Sequence, residues 1–537
     1  MSPIRSAGKD VVAGTVTLEL APEPEPVVAP PPPREEARPL GGLLDAVLKG
    51  TEQARGAAAS QLDQFLRLRS PAEALTLWVE GARGRLPKNA AKRDVVRLLL
   101  RDVAHIDELL STQVNAILHH PSFQKLEASW RGLQYLVGKL PEGEENIKIR
   151  ILSVSWRELT KDQQNALEFD QSQLFRKVYE DEFGHPGGEP FSVLLGDYEI
   201  HHKPSAAHPY NDLETLGKVS AVAAAAFAPF IAGAHPSFFD LESFSELEKP
   251  LNLPRTFEQT DYIKWRALRD SEDGRFVGLT APRVLMRLPY GDDGTRVDEF
   301  RFREDVSAPN RSQYLWGTAA YAFGGVLIRS FAESGWLAGI RGVQRGIEGG
   351  GLVTGLPVHS FSTDKMGVAP KISTDVVITD AQEKEFGELG FIPLCHCQDT
   401  EYSAFFGNQS IQKPKKYDEA PATINARLSA MLQYILCVSR FAHYIKVISR
   451  DKIGALNGAA ECEDYLRKWL MRYTTSNDNA GLELKSRCPL REARIEVREV
   501  PGKPGTYFCV IHLRPHFQLD QLHMSVKLKT ELAPARV

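Results

Sequence analysis

Phe405-Phe406-Gly407-Asn408-Gln409-Ser410-Ile411-Gln412-Lys413-Pro414-Lys415-Lys416-Tyr417 joins two aromatics that read as buried, a glycine, a row of amides and a basic cluster. A long amphipathic helix is expected directly after it. No catalytic motif has this make-up. The stretch reads as a rigid turn that presents polar and basic groups to a partner, which favours assembly over catalysis. From Ala422 to Arg450, Met431, Ile435, Val438, Phe441, Ile445 and Ile448 follow three- and four-residue steps. Ser429, Gln433, Arg440, His443 and Arg450 fall mainly off that stripe. Between Ile411 and Lys452 eight basic side chains face three acidic ones. Nucleic-acid binding would interleave such a patch with exposed aromatics, but Tyr434, Phe441 and Tyr444 lie on or beside the apolar stripe. The patch is therefore either a solvated face or a charged protein contact, in which complementary charge sets register.

Further along, Ile495 and Val497 alternate with charged residues, Pro501–Gly505 reads as a turn, and Tyr507–Leu513 returns as a strand. Leu522, Met524, Val526 and Leu528 then alternate with His523, Ser525, Lys527 and Lys529, the pattern of a half-buried strand. Such a strand close to the end of the sequence pairs either in its own sheet or in that of a neighbouring subunit.

Towards the N-terminus the reading is mixed α/β. Lys148–Val154 has a strand pattern with one apolar interruption, Phe191–Leu195 reads as a short buried strand closed by Gly196-Asp197, and Gln313–Ser330 reads as helical. The apolar run Val219–Ala234 carries Ser220, Pro229 and Gly233 and falls short of the roughly 20 residues of a membrane span. It reads as a buried helix or loop. Asp94 is a candidate cap for a helix marked by Val95, Leu98, Leu99 and Val103. Leu43, Leu44, Val47 and Leu48 share one helical face. Eight prolines between Pro22 and Pro39 make the first segment an extended tail without a core.

At 537 residues the chain is too long for one core. The expected organisation is a tail over residues 1–40, a helical region over 41–120, an α/β domain over 121–375, and a domain with a long helix and strands over 376–537. A net charge of -4 gives no bulk attraction to nucleic acid or anionic membrane. The six cysteines all lie in the last third, which suits a reducing compartment better than a disulfide scaffold.

Enzyme chemistry finds little support. Gly346–Gly355 is glycine-rich but lacks the Lys-Ser/Thr of a phosphate-binding loop, and Glu348 would repel a phosphate. Cys395-His396-Cys397 has no second pair at zinc spacing and reads as a buried strand. His201 and His202 are adjacent, so on a strand they point to opposite faces and suit a single metal poorly. No cofactor or metal is expected.

Several motifs together resemble the large subunit of the type VI secretion contractile sheath, the TssC/VipB family. They are Gly390-Phe391-Ile392-Pro393-Leu394, the Phe405–Tyr417 stretch, Asn425-Ala426-Arg427-Leu428-Ser429, Ser439-Arg440-Phe441-Ala442-His443-Tyr444 and Arg450-Asp451-Lys452-Ile453-Gly454. Leu288-Pro289-Tyr290-Gly291, Tyr314-Leu315-Trp316-Gly317, Gly355-Leu356-Pro357-Val358-His359 and Leu513-Arg514-Pro515-His516 extend the resemblance over roughly residues 40–537. It implies a structural, non-enzymatic protein of the bacterial cytoplasm, with a phage-tail-sheath-like core. The implied partners are a small sheath subunit (TssB, or VipA), neighbouring copies of the chain, an inner Hcp tube, a baseplate and the AAA+ unfoldase ClpV. Nucleic acid and direct membrane insertion are not implied. By that resemblance Leu43, Leu44, Val47 and Leu48 are candidate unfoldase contacts, and Leu522, Met524, Val526 and Leu528 are candidates for strand exchange. Lys413, Lys415 and Lys416 are candidates for an assembly surface. A sheath of another phage-like contractile system, or a phosphate-ligand enzyme using Gly346–Gly355, are the alternatives.

Overall fold

The computed structural model describes residues 64–516 apart from 88–89, 145, 186, 292–299, 301, 307–310, 344–347, 361–370, 399, 452–457, 478–480 and 500–506. The chain divides into two compact units at Val103/Ala104. In the first, helix α1 (Pro71–Ala82) begins with a proline, which loses no hydrogen bond at that position. Helix α2 is Lys92–Leu118. Asp94 lies inside its first turn rather than at the cap, and its carboxylate reaches back to accept from the Ala91 amide at 3.1 Å. The Arg85 guanidinium holds Asp102 through two bonds of 2.7 and 2.8 Å, and Trp78 Nε1 donates to the same carboxylate.

The second unit is a mixed α/β body. In chain order it contains α3 (Pro121–Gly138), α4 (Trp156–Asn165), β1 (Leu194–Ile200), α5 (Asp212–Ala226), β2 (Phe230–Ala234), α6 (Ile263–Asp270) and β3 (Val277–Ala281). Then follow α7 (Ala320–Ser334), β4 (Leu352–Val353), α8 (Asp380–Leu389), β5 (Ile392–His396) and β6 (Ser403–Phe405). These strands form one sheet in the order β1-β2-β3-β5-β6-β4. The first four run parallel and β6 is antiparallel to both its neighbours. Every residue of β2 and β3 is buried. Side chains alternate between two cores: Phe230, Ala232 and Ala234 face one, and Ile231 faces the other. The first core is aromatic. Phe391 lies within 4.6–6.2 Å, ring centre to ring centre, of Phe238, Phe239, Phe257, Trp265 and Phe386. The second gathers Phe323, Leu327, Phe405 and Leu432.

The last part contains α9 (Ala420–Ser429), α10 (Leu432–Asp451), α11 (Ala459–Met471), β7 (Leu490–Glu499) and β8 (Tyr507–Pro515). β7 and β8 pair antiparallel and pack with α11 and α10 around Trp336, Phe441 and Leu466.

Several expectations need correction. The helix expected over Ala422–Arg450 is two, because Asn408-Gln409-Ser410 takes the backbone groups at the break. Leu432 N donates to Asn408 O at 2.9 Å, and Ser410 N and Oγ donate to Ala430 O at 3.0 and 2.6 Å. Gln433 and His443 are buried rather than off the packed face. His443 Nε2 donates to the Ala226 carbonyl at 2.9 Å, a contact set by tertiary packing. Val219–Ala234 divides into the end of α5 and all of β2, with Phe227 in the left-handed region at φ 52° as the cap. The strand at 191–195 begins later and runs through Gly196-Asp197 to Ile200. A Cβ on Gly196 would meet the Phe230 ring at 2.6 Å, so the glycine lets the strand pass. In the 313–330 stretch the helix starts only at Ala320. Lys148–Val154 forms no strand with any described residue.

Candidate assembly surfaces

The stretch Phe405–Tyr417 is built inwards. Phe405 N donates to Gly351 O at 2.9 Å, and Gly351 N and Gly342 N donate to Gly342 O and Phe405 O at 2.7 and 3.0 Å. A Cβ on Gly351 would stand 2.2 Å from Phe405 O, so this crossing needs glycine. Asn408, Ser410 and Gln412 are buried. Asn408 Nδ2 donates to Ile340 O at 2.9 Å and Gln412 Nε2 to Ser271 O at 3.1 Å. Ile411 N donates to Val277 O, joining the stretch to β3. Arg269, buried on α6, donates to the carbonyls of Ile411 and Glu388 at 2.9 and 2.7 Å. Burial pushes its guanidinium down to about 10. The amides therefore satisfy buried backbone and do not present themselves to a partner.

What remains outside is aromatic and basic: Phe406, read from the sequence as buried, is exposed with Tyr417, and Lys413, Lys415 and Lys416 are all exposed. Lys415 Nζ lies 2.8 Å from Glu272, whose hydrogen bond raises the ammonium above its ordinary value. Such an exposed pair contributes little to stability. The described part of the glycine loop is equally committed to the chain itself. Arg329 donates to Gly350 O and Leu352 O, each at 2.7 Å. The adjoining cleft of about 370 Å³ is lined by Tyr135, Lys139, Arg329, Glu333, Glu348 and Thr354. Lys139 Nζ donates to Thr354 Oγ1 at 2.9 Å, and Thr354 Oγ1 to Glu348 at 2.8 Å. Its cations are balanced by its own oxygens.

Sequence reading missed a histidine cluster. His201 stacks between His208 and His235, with ring centres 4.1 and 4.0 Å away. Asp212, at the start of α5, accepts from Trp156 Nε1 and His208 Nε2 at 2.7 Å and from the His201 amide at 2.8 Å. Burial alone would raise the Asp212 carboxyl, but the bonds from His201 and His208 hold it below its usual range. Burial, then His201, pushes His235 down to about 3. Atoms of His201, His208 and Asp212 lie within 4.8 Å of one another, a spacing compatible with metal ligands. Two near-parallel rings stacked at 4.1 Å do not converge their in-plane lone pairs on one ion. The cluster reads as a satisfied buried carboxylate. His202, just beyond the end of β1, stacks instead on Tyr262 at 3.9 Å. Burial pushes the Cys395 thiol on β5 up to about 12, in keeping with a packed residue.

Two further surfaces stand out. Ile106, Leu109, Ile117, Leu126 and Trp130 on α2 and α3 are more than half exposed. The outer edge of β8 has no backbone partner among the described residues. Leu43, Leu44, Val47 and Leu48, and Leu522, Met524, Val526 and Leu528, lie outside the described residues. Among the described residues, no helix is long and apolar enough to cross a membrane.

Comparison with known proteins gives two family matches. Residues 101–412 match the family described as EvpB/VC_A0108, tail sheath N-terminal domain. Residues 421–532 match EvpB/VC_A0108, tail sheath gpW/gp25-like domain. A Pseudomonas aeruginosa relative, "Type VI secretion system sheath protein TssC1", is 42% identical over 446 residues, covering 82% of this chain and 87% of the relative. Among solved structures, the anti-feeding prophage baseplate gives 10% identity and a TM-score of 0.35, over 72% of this chain and 84% of that chain. The contracted sheath complex of the PVC extracellular injection system gives 10% identity and a TM-score of 0.31, over 57% and 68%.

Proposed function

This chain belongs to the VipB/TssC family of type VI secretion tail sheath proteins, and from that premise we propose that it is the large chain of a sheath heterodimer. The heterodimers, each completed by a small sheath subunit, stack as rings into a helical tube around an inner Hcp tube in the bacterial cytoplasm. Contraction of the tube drives its contents outward. The observation that supports this most directly is the β7–β8 hairpin. Among the described residues β8 leaves its outer edge open, and an alternating run, Leu522–Leu528, follows in the sequence. Strands exchanged between subunits would complete the sheet and tether neighbours while they repack. Leu43, Leu44, Val47 and Leu48 are the proposed contact for an unfoldase that dismantles contracted sheath.

Co-expression with the small subunit, followed by negative-stain imaging, tests the reading. Tubes are expected only when both chains are present. Val526→Pro, which removes a ladder donor, is expected to leave the heterodimer soluble and abolish tubes. Normal tubes from this variant would sink strand exchange. Lys413, Lys415 and Lys416 form the proposed charged assembly surface. Reversing all three to Glu is expected to impair tube formation with an unchanged far-ultraviolet spectrum, because their side chains pack no core. Assembly at the wild-type level would leave them as solvated surface.

A further inference from the structure

Cys462 and Cys509 lie far apart in the sequence and meet where α11 packs on the β7–β8 hairpin. Cys462 sits near the start of α11, and Leu466 and Leu470, one and two turns on, place it on the helix face that meets the hairpin. On the sheet side Cys509 stands directly across from Val497. The Val497 amide donates to a Glu463 carboxylate oxygen at 3.1 Å rather than across the hairpin. Val497 and Cys509 are therefore an antiparallel pair of the non-hydrogen-bonded kind, whose side chains lie closest and on one face. That face is the packed one, because Ile495, Val497, Ile511 and Leu513 all join the cluster that also holds Cys462. The Glu463 bond sets the residue next to Cys462 against Val497. Burial, then the neighbouring Cys462, push the Cys509 thiol up to about 11, and the second cause acts directly between the two sulfurs. Cys509 is exposed and Cys462 is half-buried behind it, whereas Cys395 and Cys437 are buried.

We propose that Cys462 and Cys509 are a redox modification site, at which hydrogen peroxide joins the two sulfurs and fastens the hairpin to α11. The exposed Cys509 thiolate attacks one peroxide oxygen and breaks the O–O bond, giving a sulfenic acid and hydroxide. The Cys462 thiolate then attacks the sulfenic sulfur, forms the S–S bond and releases a second hydroxide. The two hydroxides take up the two protons that the thiols gave up. Two thiols are thereby oxidised to one disulfide, and one peroxide is reduced to two waters. A small reducing thiol reverses the bond by exchange. Burial raises both thiols, so the attacking thiolate is scarce at neutral pH and the site answers sustained peroxide rather than a brief pulse. The bond closes the long loop from Cys462 to Cys509, and so penalises the opened hairpin more than the packed one.

Peptide mass mapping of the full chain, purified reduced and then exposed to hydrogen peroxide, tests this. A linked pair of peptides holding Cys462 and Cys509 is expected, lighter than the separate peptides by two hydrogens, and dithiothreitol is expected to release it. Cys462→Ser and Cys509→Ser are each expected to abolish the link, while Cys488→Ser keeps it. In the linked chain, amides of β7 and β8 are expected to exchange about 100-fold more slowly than in the reduced chain. Cys509→Ser is expected to remove that response to peroxide, and because Cys509 is exposed this variant keeps the core intact. Oxidation that stops at a sulfenic or sulfinic acid on Cys509 overturns the proposal. A link from either residue to a third cysteine, or between two copies of the chain, overturns it too. So does a Cys462–Cys509 link that leaves exchange in the hairpin unchanged, since the bond then fastens nothing.

Discussion

Arg287→Met is expected to destabilise the α/β body by about 3–5 kcal/mol, the usual cost of removing one partner from a buried ion pair. Arg287 donates to Glu304 at 3.1 Å through one nitrogen and at 2.5 Å through another, and to Glu127 on α3 at 2.8 Å. The Glu304 side chain is 1% exposed, and among the described residues its remaining donors are the Tyr290 amide and His119. Without the guanidinium, a carboxylate stands in the interior with too few donors. Arg131 also holds Glu127, so Glu127 suffers less. The double variant Arg287→Met with Glu304→Leu is expected to regain most of the loss, since the uncompensated charge is gone. Urea unfolding of the four forms measures the coupling. Equal losses in the single and double variants would mean that packing, not charge, carries the effect.

Acid is expected to weaken the fold well above the carboxylate range. His443 is buried, its Nε2 donates to Ala226 O, and its Nδ1 has no partner among the described residues. Burial pushes its pKa from 6.5 down to about 4, and Arg440 and Lys446 nearby act in the same direction. The folded pKa lies below the unfolded one, so the unfolded chain binds more protons between these values. Stability is therefore complete above about pH 6.5 and falls as pH drops towards 4. From pH 7 to pH 5 the loss from this residue is about 2 kcal/mol. His235 shifts the same way and adds to it. The check is the urea midpoint at pH 7 and pH 5 for wild type and His443→Gln. The variant is expected to be less stable at pH 7 and less sensitive to pH. An unchanged pH dependence would remove His443 as the origin.

The elements legible in the sequence were those with one wet face. The alternation of β7 and β8 exposes its period because solvent selects the residues opposite the core, whereas the stripe of α10 is legible only in part, since Gln433, Ser439 and His443 off it are buried as well. β2 and β3 are packed on both faces, so Phe230–Ala234 carries no alternation and merges with the helix before it. The polar side chains of Asn408, Ser410 and Gln412 mislead for a related reason. Polar residues in a row suggest a wet surface, and only the fold shows that buried carbonyls of Ile340, Ala430 and Ser271 lie opposite them. The exposure of Lys413, Lys415 and Lys416 was readable because Lys is seldom buried without a partner. His201 was visible as a residue, but its neighbours arrive from the start of α5 and the end of β2, and no local spacing encodes that meeting.

The order of the sheet also has a consequence for synthesis. β3 ends at Ala281, and the strand that covers its far edge, β5, begins at Ile392. A ribosome adding roughly 5–20 residues per second leaves that edge open for about 5–20 s. During that time Val277 and Leu279, destined for complete burial, sit on an unpaired strand. A nascent chain in this condition is prone to aggregate through that edge, and slower translation through the 282–391 interval would lengthen the exposure. The yield of folded chain is thus tied to how quickly those residues are made.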